Sequence, residues 1–188
     1  MEGLRAGSLE AVVAAASAAA GRPLPPVHLW NPAHCGEIDI VIRRDGTWLH
    51  EGTPIGRPAL VRLFSTVLRK DPEGFVLVTP AEKLAIAVED APFLAVALEG
   101  RGRDLAFTTN VGDTVVAGPE HPIRVQADAA GAPAPYVRVR GGLEARIVRS
   151  VFYELAEIAQ PIDLGAGPLL CVASGGVWFP LGPAEAGA

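Results

Sequence analysis

The sequence predicts an α+β protein built from two similar halves. A strand with alternating apolar residues, a tight turn, an amphipathic helix and short apolar strands follow one another after Glu37, and the same order returns after Tyr136. Apolar residues make up 49% of the chain, and its 21 glycines and 17 prolines are typical of a globular protein with many turns. A chain of 188 residues is long enough for two compact halves that support each other.

The first predicted element is an alanine-rich helix that begins at Leu9 and ends before Gly21. Ser8 is a suitable N-cap for this helix. The segment differs from a signal peptide, because the acidic residues Glu2 and Glu10 stand where a signal peptide has basic residues. No apolar run of 18 residues occurs elsewhere, so the sequence predicts no membrane span. We therefore expect a cytoplasmic protein.

The first half begins with a clear strand and hairpin pattern. Isoleucines occupy every second position over residues 37–42, which buries the isoleucines and places Glu37 and Asp39 together on the opposite face. The pair Asp45-Gly46 predicts a tight turn, and the returning strand begins at Trp48.

An amphipathic helix follows the hairpin. It opens at Arg57-Pro58, its apolar residues repeat at three- and four-residue steps as far as Leu68, and Asp71 is expected to end it. Three short strands are predicted after the helix, at residues 75–78, 84–88 and 93–98.

The second half also combines strands with one helix. The residues from Tyr136 onwards alternate, which predicts a strand with Arg138 and Arg140 on one face. We predict a helix from Leu143 to Ala159, on which Arg146 and Arg149 lie about one turn apart beside the apolar stripe. The remaining predicted strands lie at residues 105–109, 114–117, 123–126, 169–172 and 177–179, the last two joined by a turn at Gly175-Gly176.

Composition and motifs exclude several classes of function. A net charge of −5 and a pI near 5.4 argue against broad nucleic-acid binding. The two cysteines, Cys35 and Cys171, have no CxxC spacing, and His28, His34 and Glu37 near Cys35 match no known metal-ligand pattern. We therefore expect no metal and no cofactor. The phosphate-loop, dinucleotide, hydrolase and zinc-protease motifs do not occur, and no catalytic residue is assigned.

A set of short motifs, spread from Pro25 to Leu181, resembles the bacterial family called domain of unknown function 1285. The motifs include Trp30-Asn31-Pro32, Cys35-Gly36-Glu37-Ile38-Asp39, Gly52-Thr53-Pro54-Ile55-Gly56-Arg57, Val78-Thr79-Pro80-Ala81-Glu82-Lys83, Phe107-Thr108-Thr109-Asn110 and Pro135-Tyr136-Val137-Arg138-Val139-Arg140. The resemblance implies a duplicated α+β fold whose second half is somewhat like a pleckstrin-homology fold. It also implies a ligand cleft between the halves, a nucleotide-like ligand and a role in signal transduction.

Two groups of polar residues are the candidate ligand site. Glu37 and Asp39 are close enough on one strand face to bind a metal or perform acid/base chemistry, and the alternative is an ordinary solvated face. The second group is basic and suits phosphate or carboxylate, although its members could also be surface charges paired with acidic neighbours such as Glu144 and Glu154. It consists of Arg138, Arg140, Arg146 and Arg149, with Arg57 at the start of the first-half helix as a further anion contact.

The sequence thus favours a small-molecule-binding regulatory protein over an enzyme. The expected ligand is anionic and held between the halves. The alternatives left open are an enzyme that uses Glu37, Asp39 or Asp90, with or without a metal, and a module that docks a protein partner. We divide the chain into an N-terminal helix and linker (1–24), a first half (25–100), a second half (101–182) and a tail (183–188).

Overall fold

The computed structural model describes residues 9–19, 24–100, 103–128, 130–163, 165 and 167–184. It divides into two compact units. The first ends at Pro92 and includes Gly141–Leu143, and the second holds Phe93–Arg140 and the chain from Glu144 onwards. The strand at Phe93–Glu99, which the sequence assigned to the first half, therefore lies in the second unit.

The first unit contains a six-stranded sheet with order β3-β2-β1-β6-β5-β4 and two helices. Its elements are α1 (Leu9–Ala19), β1 (His34–Ile42), β2 (Trp48–His50), β3 (Thr53–Pro54), α2 (Pro58–Thr66), β4 (Leu68–Asp71), β5 (Gly74–Val78) and β6 (Glu82–Val88), with one turn of 3₁₀ helix at Val27–Leu29. The predicted helix at Leu9 is confirmed, whereas Ser8 and Gly21, its predicted cap and stop, lie outside the described residues.

The second unit contains another six-stranded sheet, with order β10-β11-β12-β7-β8-β9, a helix and a three-stranded sheet of β13, β14 and β15. Its elements are β7 (Phe93–Glu99), β8 (Ala106–Thr109), β9 (Thr114–Val116), β10 (Ile123–Ala127), β11 (Pro133–Arg140), β12 (Leu143–Ile147), α3 (Arg149–Ile158), β13 (Gln160–Asp163), β14 (Pro168–Ser174) and β15 (Val177–Pro183). None of the described helices is long and apolar enough to cross a membrane.

The two six-stranded sheets have the same topology, which confirms the predicted duplication. Each consists of two successive three-stranded meanders, and the first strand of the first meander pairs in parallel with the last strand of the second. These parallel pairs are β1 with β6 and β7 with β12. The α+β class is therefore confirmed, and a curled sheet followed by α3 is consistent with the expected likeness of the second half to a pleckstrin-homology fold.

The position of the helix differs between the repeats, so the predicted repeat unit is wrong in detail. Helix α2 lies between the two meanders of the first sheet, whereas α3 follows both meanders of the second. The second repeat therefore begins at Phe93 rather than near Tyr136. The strand, turn and helix predicted after Tyr136 are in fact the last two strands of the second meander, β11 and β12, followed by α3.

The predicted helix from Leu143 to Ala159 is partly a strand. Leu143, Ala145 and Ile147 are all buried, which is the two-residue period of a strand, whereas the predicted helix relied on the four-residue step from Leu143 to Ile147. Gly141 and Gly142 precede it with φ values of +50° and +78°, which suits a two-residue hairpin turn to β11. Helix α3 begins only at Arg149, after an extended Val148.

Helix α2 is also shorter than predicted, because it ends at Thr66. The hydroxyls of Ser65 and Thr66 donate hydrogen bonds to the carbonyls of Arg62 and Leu63, both at 2.7 Å, and such bonds compete with continuation of a helix. Residues 68–71 instead form β4, which pairs with β5 through a turn at residues 72 and 73. Asp71 thus ends a strand and not a helix.

The core of the first unit follows the predicted alternation on β1. Ile38, Ile40 and Ile42 are buried, and their face continues through Trp48, which lies beside Ile42 on β2. The Trp48 ring stacks on Phe64 of α2 with centroids 6.4 Å apart. Burial of these apolar side chains fixes the register of β1, so Glu37 and Asp39 must lie on the other face.

A charged network attaches the 3₁₀ turn to β4 of the same unit. Arg69 donates to both carboxylate oxygens of Asp71 at 2.6 and 3.0 Å, and its Nη1 donates to the carbonyls of Val27 and Trp30, both at 2.7 Å. Lys83 Nζ lies 3.2 Å from Asp71 Oδ2. The hydrogen bonds from Arg69, followed by those from Lys83, hold the pKa of Asp71 below its ordinary value of 3.8 against the opposing effect of burial.

Candidate functional site

Four arginines lie on one face of the sheet formed by β10, β11 and β12, and we call this surface the arginine face. Arg124 is directly opposite Tyr136 in the β10–β11 pairing. Arg138 and Arg140 follow Tyr136 at two-residue steps, and Arg146 lies against the Tyr136 ring. The arginine face therefore consists of Arg124, Arg138, Arg140 and Arg146 around Tyr136.

Two guanidinium groups contact the Tyr136 ring. Arg124 lies over its ring, with Cζ 4.3 Å from the ring centroid, and Arg146 Cζ is 5.6 Å from the same centroid. The tyrosine hydroxyl accepts a hydrogen bond from Arg146 Nη1 at 3.3 Å and lies 3.5 Å from Gln126 Nε2. Only 3% of the residue is exposed, so the arginines cover an otherwise apolar ring.

Arg124 is held by an acidic and an amide neighbour. Its Nε and Nη2 donate to the two carboxylate oxygens of Glu144 at 2.7 and 2.6 Å, and its Nη1 donates to Gln126 Oε1 at 2.6 Å. Glu144, which the sequence offered as a partner for the other arginines, thus forms its ion pair with Arg124. The side chains remain partly in solvent, with 43% of Arg124 and 21% of Glu144 exposed.

Arg140 and Arg138 occupy the same strand but have different environments. Arg140 forms an ion pair with Asp113 and lies over the Phe93 ring, with Cζ 5.0 Å from its centroid. The backbone N–H of Asp113 donates to Thr109 Oγ1 at 3.0 Å, which helps to position this carboxylate. Arg138 is exposed, and its side chain makes no hydrogen bond or ion pair with another residue that the structure describes.

Three of the five predicted arginines therefore lie on one face, and two lie elsewhere. Arg146 belongs to β12, so its predicted position one helical turn from Arg149 is wrong. Arg149 begins α3, where its Nε donates to the Tyr153 hydroxyl at 2.6 Å. Arg57 is the exposed N-cap residue of α2 in the first unit.

Arg124 and the role of Glu144 were not predicted from the sequence. The alternation of Ile123, Arg124, Val125 and Gln126 in the sequence is sufficient to predict that Arg124 lies on an outer strand face. The sequence pattern does not give the strand order, which brings β10 beside β11 and β11 beside β12. Tyr136 was assigned to a strand, and in the structure it is a buried ring in contact with two arginines.

Glu37 and Asp39 lie on the exposed face of β1 in the first unit, as the alternation predicted. They line an open depression of about 560 Å³ together with the small exposed residues Ala85 and Ala87 of β6. The parallel pairing of β1 and β6 changes register between Glu37 and Val41, at the position of this depression. Asp90, the third candidate carboxylate, follows β6 and does not line it.

A metal site receives no support from the described side chains. No group of three or more His, Cys, Asp or Glu residues close enough to hold a metal ion occurs within the described part of the chain. Cys35 is exposed, and the side chain of His34 lies outside what the structure describes. Glu37 and Asp39 supply two carboxylate groups, fewer than a cation with six or more oxygen ligands requires, so a cation there would also need water ligands.

Comparison with known proteins places the chain in a family. Residues 25–91 match the family model of the N-terminal domain of domain of unknown function 1285 (DUF1285), and residues 92–181 match that of its C-terminal domain. The chain is 49% identical to a DUF1285 family protein from Silicibacter pomeroyi whose crystal structure covers 96% of this chain and 97% of its own, with a TM-score of 0.84.

A second crystal structure, of a DUF1285 family protein from Shewanella baltica, is 24% identical and has a TM-score of 0.52 over 64% of this chain and 92% of its own; it supports the fold alone. None of the curated proteins matches the chain significantly. The two family models together span both six-stranded sheets, and the predicted family resemblance is confirmed. The chain belongs to the DUF1285 family.

Proposed function

We propose that the protein is a non-enzymatic, small-molecule-binding regulatory protein whose arginine face takes the anionic group of the ligand. The observation that supports this best is local charge. Strands β10, β11 and β12 contain four arginines and one glutamate, in a chain whose net charge is −5. A positive surface of this kind attracts phosphate and carboxylate groups, and guanidinium forks match their geometry.

The arginines are also held in position before a ligand arrives. Arg124 is fixed by Glu144, Arg140 by Asp113, and Arg146 by the hydroxyl of Tyr136. Side chains that are already ordered lose less conformational entropy when they bind a ligand. The exposed Arg138 is then the residue that we assign to direct contact with the anion.

A regulatory role agrees with the way the acidic side chains beside the described arginines are engaged. Glu144 accepts hydrogen bonds from Arg124, and Asp113 forms an ion pair with Arg140, so both carboxylates hold arginines in place. Binding would change the charge of this surface and stabilise the second unit, which is the kind of signal that a partner could detect. Signal transduction therefore remains the role that we propose.

A thermal-shift screen tests anion binding. The screen would use nucleotides, sugar phosphates and small carboxylates. A ligand at 100 times its Kd adds about 2.7 kcal/mol to the free energy of unfolding, which raises Tm by roughly 5–11 °C in a chain of this size. We expect Arg138→Ala to weaken binding about tenfold or more, whereas Arg62→Ala, at an exposed position on α2, leaves it unchanged.

The proposal fails if no anion raises Tm, or if anions stabilise the Arg138→Ala and Arg146→Ala variants as well as the parent protein. Far-UV circular dichroism of each variant would show whether it is folded. A folded variant that keeps full affinity contradicts the assignment of the arginine face.

Carboxylate chemistry in the first unit is a second candidate function, and the depression beside Glu37 and Asp39 is the observation that favours it. It requires that Mg²⁺ or Mn²⁺ bind there or that one carboxylate act as a base. Titration calorimetry with either ion, repeated on Asp39→Asn, tests the metal-dependent form. No heat of binding in the parent protein would count against it.

A further inference from the structure

We infer that Arg124 is a stacking platform for a flat ring of the ligand, so that the ligand is an aromatic molecule with a carboxylate or phosphate group. The inference rests on the proposed anion binding and adds the class of ligand. It comes from the geometry around the guanidinium of Arg124, which differs from that of a simple anion contact.

The edges of the Arg124 guanidinium are occupied by protein groups. Glu144 accepts from Nε and Nη2, and Gln126 accepts from Nη1, all within 2.7 Å. Because these hydrogen bonds lie in the guanidinium plane, they fix the orientation of that plane. Arg124 is therefore poorly suited to take a further anion at its edge.

One face of the same guanidinium lies on the Tyr136 ring, 4.3 Å from its centroid. Tyr136 is in turn contacted by Arg146, whose Cζ is 5.6 Å from the ring centroid and whose Nη1 donates to the hydroxyl. The Arg124 guanidinium therefore packs on a buried ring, while its side chain remains 43% exposed. A rigid, flat and exposed cation of this kind stacks favourably on aromatic rings.

Arg138 is the neighbouring cation for the anionic group. It lies two residues beyond Tyr136, the direct partner of Arg124, and is therefore the diagonal neighbour of Arg124 across the strands. Diagonal neighbours in an antiparallel pair are about 7–8 Å apart. A ring on Arg124 and its attached carboxylate or phosphate on Arg138 fit this spacing.

Matched pairs of probes test the inference. Adenosine monophosphate is compared with ribose 5-phosphate, and benzoate with acetate, so that each pair shares its anion and differs in the ring. We expect the ring-bearing probe to bind about five- to tenfold more tightly in at least one pair. Which pair responds distinguishes a nucleotide from an aromatic carboxylate.

Substitutions then assign that advantage to the guanidinium plane. Arg124→Lys keeps the charge but has no plane, and it should remove the advantage of the ring while the affinity for ribose 5-phosphate or acetate stays within about twofold. Arg138→Ala should weaken both members of a pair, and Arg62→Ala neither. Arg124→Ala serves as a second variant, with circular dichroism as the check on folding.

Two results overturn the inference, and they are distinguishable from failure of the proposed function. If ring-bearing and ring-free probes bind equally, the platform is wrong although anion binding stands. If the ring advantage persists in folded Arg124→Lys and Arg124→Ala, the ring binds elsewhere. If neither member of any pair binds, both the platform and the proposed function are wrong.

Discussion

Arg69 offers the clearest test of how the first unit is held together. Its side chain is 15% exposed and that of Asp71 is 12% exposed, so the pair is largely screened from water. Replacing Arg69 with Met keeps the approximate size of the stem but removes four hydrogen bonds, two to Asp71 and two to the carbonyls of Val27 and Trp30. The variant leaves both carbonyls and one carboxylate without their main donor.

The expected loss is about 3 kcal/mol of unfolding free energy. Removing one partner of a buried ion pair costs about 3–5 kcal/mol, and here Lys83 continues to neutralise Asp71 from 3.2 Å, which favours the lower end. Arg69→Lys keeps the charge but cannot reach all three partners with one ammonium group, so about half of that loss is expected. The matched control is Arg62→Met on the exposed side of α2, which should change stability by less than about 0.5 kcal/mol.

Urea unfolding followed by tryptophan fluorescence measures these changes. Trp30 and Trp48 lie in the first unit and Trp178 in the second, so a Trp178→Phe background makes the signal report on the first unit. Trp178 is 41% exposed, and its replacement should be mild. A loss below about 0.5 kcal/mol for Arg69→Met, or a stability of Arg69→Lys equal to that of the parent, would refute the account of this network.

Three further outcomes follow from the same contacts. Because the pKa of Asp71 is lowered on folding, the carboxylate stabilises the folded protein fully above the unfolded pKa near 3.8, and this stabilisation is lost as pH falls through the folded pKa. Asp71→Asn should therefore flatten the dependence of the unfolding free energy on pH below about pH 4, measured by urea unfolding. Gly175→Ala should lower Tm more than Gly176→Ala. Both glycines have positive φ, but a Cβ at Gly175 would lie 2.9 Å from Ala117 O, whereas nothing lies within 4 Å of a Cβ at Gly176. Equal losses of Tm in the two variants would contradict this. Exposed Cys35 should react with a thiol reagent much faster than Cys171, which is buried and whose pKa is raised by burial, and equal rates in the folded protein would contradict it.

The strands and the polar face of β1 could be predicted because each depends on local alternation. Ile38, Ile40 and Ile42 fix the register of β1, and Glu37 and Asp39 then have only one face left to occupy. The error over residues 143–148 arose because Leu143, Ile147 and Val148 fit a helical period while Leu143, Ala145 and Ile147 fit a strand period. Periodicity alone cannot decide between them, and the Gly141-Gly142 turn to β11 decides for the strand.

The arginine face depended on information that no single segment contains. Arg124 and Arg146 are 22 positions apart in the sequence and meet at Tyr136 only because β10, β11 and β12 are neighbours in the sheet. Arg149 was predicted to lie one helical turn from Arg146, but its helix α3 begins only after β12, the strand that contains Arg146. The repeat was detected in outline but assigned to the wrong strands, since it is a property of sheet topology and not of the order of helices and strands.

The most direct test of anion binding is a titration of ¹⁵N-labelled protein with adenosine monophosphate and with benzoate, followed by NMR of the backbone amides and the arginine Nε–H groups. We predict that the chemical-shift changes cluster on β10, β11 and β12, that those of Arg138 and Arg124 are among the largest, and that Arg138→Ala reduces them. Shifts confined to the depression beside Glu37 and Asp39, or no shifts at millimolar concentrations of both probes, would contradict it.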